Sequence, residues 1–209
     1  AFVLLIPLSA STDIFDEPTL KVKDLVVEKY VSNLCCMITT MTFVEDDILF
    51  LQKTDGVVRL IRDGVLQDKP VLDVSVDSIG EKGMLGITSV DSSVYLYFTE
   101  AEKDGGESLG NKIYKYEWDG DSLLNPVLLK ELPSNVSHNG GVMTVGLDNQ
   151  VYAVIGDTLH YGLLQNKPIE WLKGDDIDFK DNGVILQLET EKPYFAMGIR
   201  NSFGLAIDP

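Results

Sequence analysis

Apolar and polar positions alternate along most of this chain with the period of β-strands, and the alternation recurs in three similar stretches. In the first, Thr42 leads through an acidic turn (FVEDD) into ILFLQK, Ile48 to Lys53; the chain turns at Asp55-Gly56 and resumes as VVRLI, Val57 to Ile61. In the second, GITSVDSS from Gly86 leads into VYLYFTE, Val94 to Glu100, and after a Gly-rich loop the chain resumes as KIYKYEW, Lys112 to Trp118. In the third, VGLDNQ from Val145 leads into VYAVIGD, Val151 to Asp157, and a long connection precedes VILQL, Val184 to Leu188. These segments are rich in Val, Ile, Leu and Tyr, and long amphipathic helical windows are scarce, which predicts an all-β fold.

Outer segments such as PVLDV (Pro70 to Val74) and PVLLKEL (Pro126 to Leu132) bring each module to about four strands in roughly 50 residues, the size of one propeller blade. The pattern predicts a β-propeller of which this chain covers about three blades and the start of a fourth, because GLAIDP (Gly204 to Pro209) repeats the lead that opens the other modules. Each blade buries its face only against its neighbours, so three blades and a stub leave two apolar faces open. The expectation is a fragment of a larger propeller.

Composition narrows the partners. The chain has 209 residues, 44% of them apolar, with 33 Asp and Glu against 17 Lys and Arg, a net charge of −16. A field of that sign repels nucleic acid and anionic membrane, so neither is expected as a partner. The two cysteines, Cys35 and Cys36, are adjacent and build no disulfide framework or zinc spacing; burial near the first strand is their expected role. At the N-terminus, AFVLLIPL (Ala1 to Leu8) precedes small residues and then polar sequence, the order of a signal-peptide apolar region and its cleavage site. That predicts export to the periplasm or cell exterior, without stable membrane insertion after cleavage. Residues 1–12 are then a signal-peptide remnant, 13–41 an N-terminal lead-in with an outer strand, and 42–209 the partial propeller.

Two segments depart from the repeat. Ser137-His138-Asn139-Gly140-Gly141 sets one of only two histidines against paired glycines, where an imidazole can take a proton and backbone can approach a ligand closely. Gly198-Ile199-Arg200-Asn201-Ser202-Phe203-Gly204 sets a cation beside an amide at the end of the third module.

In this order the segments resemble the soluble quinoprotein glucose/sorbosone dehydrogenase family. The resemblance runs through ILFLQKTDGVVRLIRDGVLQDKPVLDV and GEKGMLGITSV, which match the family's opening blade and its G-x-x-G-L-L-G turn. It continues through HNGGVMTVGLDNQVYAVIGD (His138 to Asp157) and GVILQLETEKPYFAMGIRNSFGLAIDP (Gly183 to Pro209). It implies a six-bladed propeller that holds pyrroloquinoline quinone (PQQ) with calcium beside it, oxidises an aldose sugar and passes electrons to an external acceptor. By the same resemblance His138 is the general base and a substrate contact, Arg200 the catalytic cation near the cofactor's oxygens, and Asn201 a cofactor contact. Glu81 stands on the cofactor and substrate side. His160, Gln165 and Asn166 fall where the family places further polar groups, Gln165 toward the substrate. The calcium ligands are expected beyond residue 209.

This chain departs from the family's glucose-oxidising members at Glu81, where they carry Gln, at Ser137, where they carry Asp, and at Ser202, where they carry Pro. Ser137 leaves His138 with no carboxylate next to it in sequence; Glu81 would replace that charge if it faces the channel, and a solvated turn residue is its other reading. A non-catalytic binding propeller and a metal-dependent lactonase-like propeller are the alternative readings. Asn135-Val136-Ser137 reads as a glycosylation sequon.

Overall fold

The computed structural model describes residues 20–159 and 181–208. The chain divides into a unit of residues 1–32 and a unit of residues 33–209. Of the first, the described residues 20–32 form no strand or helix.

Among the described residues the second unit forms three antiparallel sheets in chain order. The first holds β1 (Ile38–Val44), β2 (Asp47–Gln52), β3 (Val57–Arg62) and β4 (Val65–Leu66), with β5 (Leu72–Asp73) also pairing β3. The second runs β6 (Met84–Val90), β7 (Ser93–Ala101), β8 (Ser108–Trp118) and β9 (Leu123–Leu132). The third runs β10 (Gly140–Val145), β11 (Val151–Ile155), β12 (Val184–Gln187) and β13 (Tyr194–Met197). The first strands of the three sheets are neighbours, β6 lying against both β1 and β10. Meandering sheets stacked face to face with their first strands side by side are propeller blades.

The lead into the second module lies in the innermost strand β6, while the first and third leads begin only at the ends of β1 and β10, ahead of which those inner strands already run. β1 begins at Ile38, inside the stretch assigned to the lead-in, and β6 and β10 begin at Met84 and Gly140. The acidic turns are tight hairpins: Val44 pairs Asp47 across Glu45-Asp46, and Val90 pairs Ser93 across Asp91-Ser92. Glu45 (φ 54°) and Asp91 (φ 50°) adopt the left-handed backbone that two-residue hairpin turns require. The last segment, GLAIDP, forms no strand over its described residues, since a strand needs a ladder partner and none of the three sheets offers it one.

Strand β7 shows what holds the blades together. Val94, Leu96 and Phe98 pack toward the first sheet with Leu49, Leu51, Val58 and Leu60. Tyr95 and Tyr97, pointing the other way, pack with Val151, Ala153, Ile155, Val184 and Leu186 of the third sheet. A period of two thus serves two cores from one strand. On the outer sheets apolar side chains stay exposed, among them Met41 and Phe43 on β1 and Phe195 and Met197 on β13.

Cys35 and Cys36 are exposed rather than buried. They lie in a bend ahead of β1, outside the ladder that would have sorted them into a core.

Candidate functional site

The site forms where the chain enters or leaves blade strands: Glu81 before β6, His138 before β10, Asp157 after β11 and Asn201 after β13. Close approach of backbone brings the middle two together. Thr158 N–H donates to the His138 carbonyl at 3.0 Å and Gly156 N–H to the Asn139 carbonyl at 3.3 Å. A Cβ on Gly156 would lie 1.9 Å from the His138 oxygen, so only glycine lets the two segments stack. His138 itself is held at φ 61°.

The stack places His138 Nδ1 2.7 Å from Asp157 Oδ1, with both side chains buried. Leu159 N–H donates to the same carboxylate oxygen at 3.1 Å. Asp157 N–H in turn donates to the Arg200 carbonyl at 2.8 Å, lacing the Gly198–Asn201 segment to the pair. A carboxylate accepting from Nδ1–H fixes the imidazole tautomer and leaves the lone pair on Nε2.

Asn139, directly after the histidine, anchors the segment from below. Its Oδ1 accepts from Asn111 Nδ2 and from Asn135 N–H, both at 3.0 Å, and its Nδ2 donates to the Asn135 carbonyl at 2.7 Å. Tyr97 Oη donates to the Asn139 carbonyl at 2.9 Å. Burial pushes the Tyr97 phenol far above its ordinary range, so it keeps the proton it donates. Asn135 Nδ2 donates to the Thr158 carbonyl at 3.0 Å, so the amide of the sequon is part of this scaffold.

Glu81 is brought to His138, but not to its ring. Its Oε2 accepts from His138 main-chain N–H at 2.6 Å and from Asn201 Nδ2 at 3.1 Å. One carboxylate therefore ties together residues 57 and 120 positions away in sequence. The carboxylate that faces the imidazole is Asp157, which sequence reasoning quoted inside a motif and gave no role. Its signal was the Gly156-Asp157 pair closing that motif. Asn201 Oδ1 is shut off from solvent without a hydrogen-bond partner, an acceptor that a ligand N–H or O–H would satisfy.

Arg200 joins the site through its main chain, and the residue is exposed. Beside Glu81 a cleft of about 200 Å³ is walled by Thr39 and Thr40 of β1, Lys53, Gly140 and Phe203. Lys53 Nζ donates to the Gly80 carbonyl at 2.7 Å, which positions it on the rim next to Glu81. His160, Gln165 and Asn166 lie outside the described residues. Among the described residues no three His, Cys, Asp or Glu side chains gather as a metal site.

The inner connections of propeller blades thus converge on a buried imidazole–carboxylate pair, an amide oxygen with no hydrogen-bond partner among the described residues, and nearby cations. Residues 37–209 match the family described as Glucose / Sorbosone dehydrogenase, and the chain belongs to that family. It is 28% identical over 172 residues to quinoprotein glucose dehydrogenase B of Acinetobacter calcoaceticus, covering 66% of this chain and 36% of that one. The PQQ-bound aldose sugar dehydrogenase of Streptomyces coelicolor superposes with a TM-score of 0.62 at 22% identity, over 85% of this chain and 55% of that one. The apo form of the soluble aldose sugar dehydrogenase of Escherichia coli gives 0.57 at 17% identity, over 79% and 52%. These structural likenesses establish the β-propeller fold. The chain spans little more than a third of the curated relative and about half of the solved ones.

Proposed function

We propose that this chain carries the proton-abstracting half of the active site of an exported, PQQ-dependent dehydrogenase that oxidises an aldose sugar and hands the electrons to an external acceptor. The observation that carries the reading is the buried His138–Asp157 pair at 2.7 Å.

Asp157 accepts a hydrogen bond from His138 Nδ1–H and holds the ring by one edge. Nε2 then takes the proton from the sugar hydroxyl, and the imidazolium that forms is stabilised by the carboxylate behind it. Asp157 thus supplies the negative charge that Ser137 lacks. Glu81, by gripping His138 N–H and Asn201 Nδ2, sets the height of the histidine relative to the amide.

The residues present fit the cofactor at one edge. The Asn201 acceptor is buried and unsatisfied, the Thr39 and Thr40 wall is polar, and Lys53 and Arg200 are the cations at hand for a polyanionic ring system. Asn201, Arg200 and Glu81 would hold it on this side, Arg200 near its oxygens, with His138, Glu81 and Gln165 toward the sugar. PQQ supplies, when bound, the acceptor for the hydride that leaves the sugar carbon. Calcium is proposed as a further requirement, with its ligands in the portion of the relatives that this chain does not span.

The test uses the full-length protein supplied with PQQ and calcium and a panel of aldoses, following dye reduction. Turnover that requires both additions is expected, and His138→Ala should cut it by about 10²–10⁴-fold while PQQ still binds. Wild-type turnover by His138→Ala would remove the imidazole from the mechanism. Saturable PQQ binding without turnover on any sugar would favour a binding propeller.

A further inference from the structure

Cys35 and Cys36 play no part in that reading, and they are the only sulfur nucleophiles in the chain. In extended backbone, successive side chains point to opposite sides. Here the chain bends: Cys36 sits at φ 71°, three residues after Asn33 at φ 62°, and the two Sγ atoms converge to 2.7 Å. A left-handed backbone at a residue with a Cβ is held only where its surroundings impose it. The tether is visible. Gln52, at the end of β2, donates through Nε2 to the Cys35 carbonyl at 3.3 Å and lies 3.7 Å from Cys35 Sγ, while Lys53 N–H grips the Met37 carbonyl at 2.7 Å. Both thiols are exposed, so a small reagent can reach them.

The geometry points to Cys35–Cys36 as a redox modification site, a vicinal dithiol that closes to an eight-membered disulfide ring by exchange with a low-molecular-weight disulfide. Cys35 Sγ attacks one sulfur of the oxidant and expels the first thiol, leaving a mixed disulfide on Cys35. Cys36 Sγ then attacks the Cys35 sulfur and expels the second. The oxidant's S–S bond breaks, the Cys35–Cys36 bond forms, two electrons pass to the oxidant and the two cysteine protons end on the released thiols. The hydrogen bond with Cys35 first, then slight desolvation and Asp55, push the Cys36 thiol up to about 11. A ring between residues joined by one trans peptide departs from the wider Cα separation of relaxed disulfides, so this bond is more readily reduced than a structural one. Its place is just ahead of β1, whose Thr39 and Thr40 wall the cleft, so closure fixes the entry of an inner strand.

The chain is treated with oxidised glutathione and followed by intact mass, thiol titration and released glutathione. The expected product is a monomer lighter by two hydrogens, with no titratable thiol and two reduced glutathiones released per chain. Reduced chain should bind one equivalent of phenylarsine oxide and oxidised chain none. Cys35→Ser and Cys36→Ser should each stop at a stable adduct with one glutathione, and neither should bind the arsenical. Wild-type chain that keeps free thiols, carries two glutathione adducts or links into disulfide dimers would overturn the assignment. With no other cysteine present, every readout belongs to this pair whether or not the dehydrogenase reading holds.

Discussion

Asp157 and Glu81 divide two tasks that the sequence suggested one residue would perform. Glu81 was the visible candidate for supporting His138, since it replaces a neutral side chain in a recognisable turn. It is spent on backbone and amide, and its hydrogen-bonding role needs only an acceptor oxygen. Asp157 is the carboxylate against the imidazole, and its 19-residue separation from His138 hid the pairing, which depends on a backbone stack that no local pattern announces. On the dehydrogenase reading proposed above, Asp157→Asn in the full-length protein should lower kcat by about 10²–10⁴-fold, because an amide can hold the wrong tautomer of the ring. PQQ affinity should stay within a few-fold; an unchanged kcat would remove Asp157 from the mechanism. The segments around His138 and Arg200-Asn201 stood out in the sequence because each has glycines within two or three residues and breaks the strand rhythm. Gln165 falls outside the described residues.

The middle strands of each blade were legible from alternation, and the blade-sized repeat followed from them. What alternation concealed was where strands begin and end at the inner end. The lead GITSVD begins in an innermost strand, and its glycine serves contact rather than flexibility. Gly86 on β6 faces the main chain of β10, where an added Cβ would lie 1.9 Å from the Gly141 oxygen. Gly86→Ala should therefore cost at least about 1–3 kcal/mol, read as a lowered urea midpoint, because main chain cannot step aside as a side chain can. A second inter-blade contact, the Tyr95–Glu189–Lys115 cluster, was unreadable from sequence. Tyr95 Oη donates to Glu189 Oε2 at 2.6 Å and Lys115 Nζ to Oε1 at 2.9 Å. Desolvation pushes the Glu189 carboxyl up, yet hydrogen bonds from Tyr95 and Lys115 outweigh it and hold the group below its ordinary value. The Glu189 hydrogen bond raises Lys115 against its own desolvation. Stability from the depressed carboxyl is present above its unfolded pKa near 4.3 and is lost as pH falls through the lower folded value. Stability from the raised ammonium is present below about 10.4 and is lost as pH rises through the higher folded value. Glu189→Gln should thus cost about 0.5–1 kcal/mol at neutral pH, small because the pair is partly exposed. The difference from wild type should shrink as pH falls through the folded value, and a deficit that persists at acid pH would mean the contact is not electrostatic.

For the molecule as a whole, charge and exposed apolar surface act in opposition. Phe43, at 60% exposure, and Phe195, at 62%, mark open faces on the first and third sheets, while a net charge of −16 keeps copies apart. Screening shortens that repulsion and leaves apolar attraction intact. The 209-residue chain should therefore self-associate more as salt rises, measured by sedimentation, and Phe43→Lys with Phe195→Lys should suppress the association at every salt concentration. Association that falls with salt would point to charge pairing instead.

Strand β7 also constrains how such a chain could have been assembled from repeated pieces. Its even-numbered positions 94, 96 and 98 carry Val, Leu and Phe, and its odd positions 95 and 97 carry Tyr. Both tyrosine hydroxyls find their acceptors later in the chain, on Glu189 and the Asn139 carbonyl. Each face of the middle blade is thereby addressed to one particular neighbour. Exchanging the modules would press two hydroxyls against a wall without acceptors, so the copies, however alike in sequence rhythm, have lost the freedom to trade places.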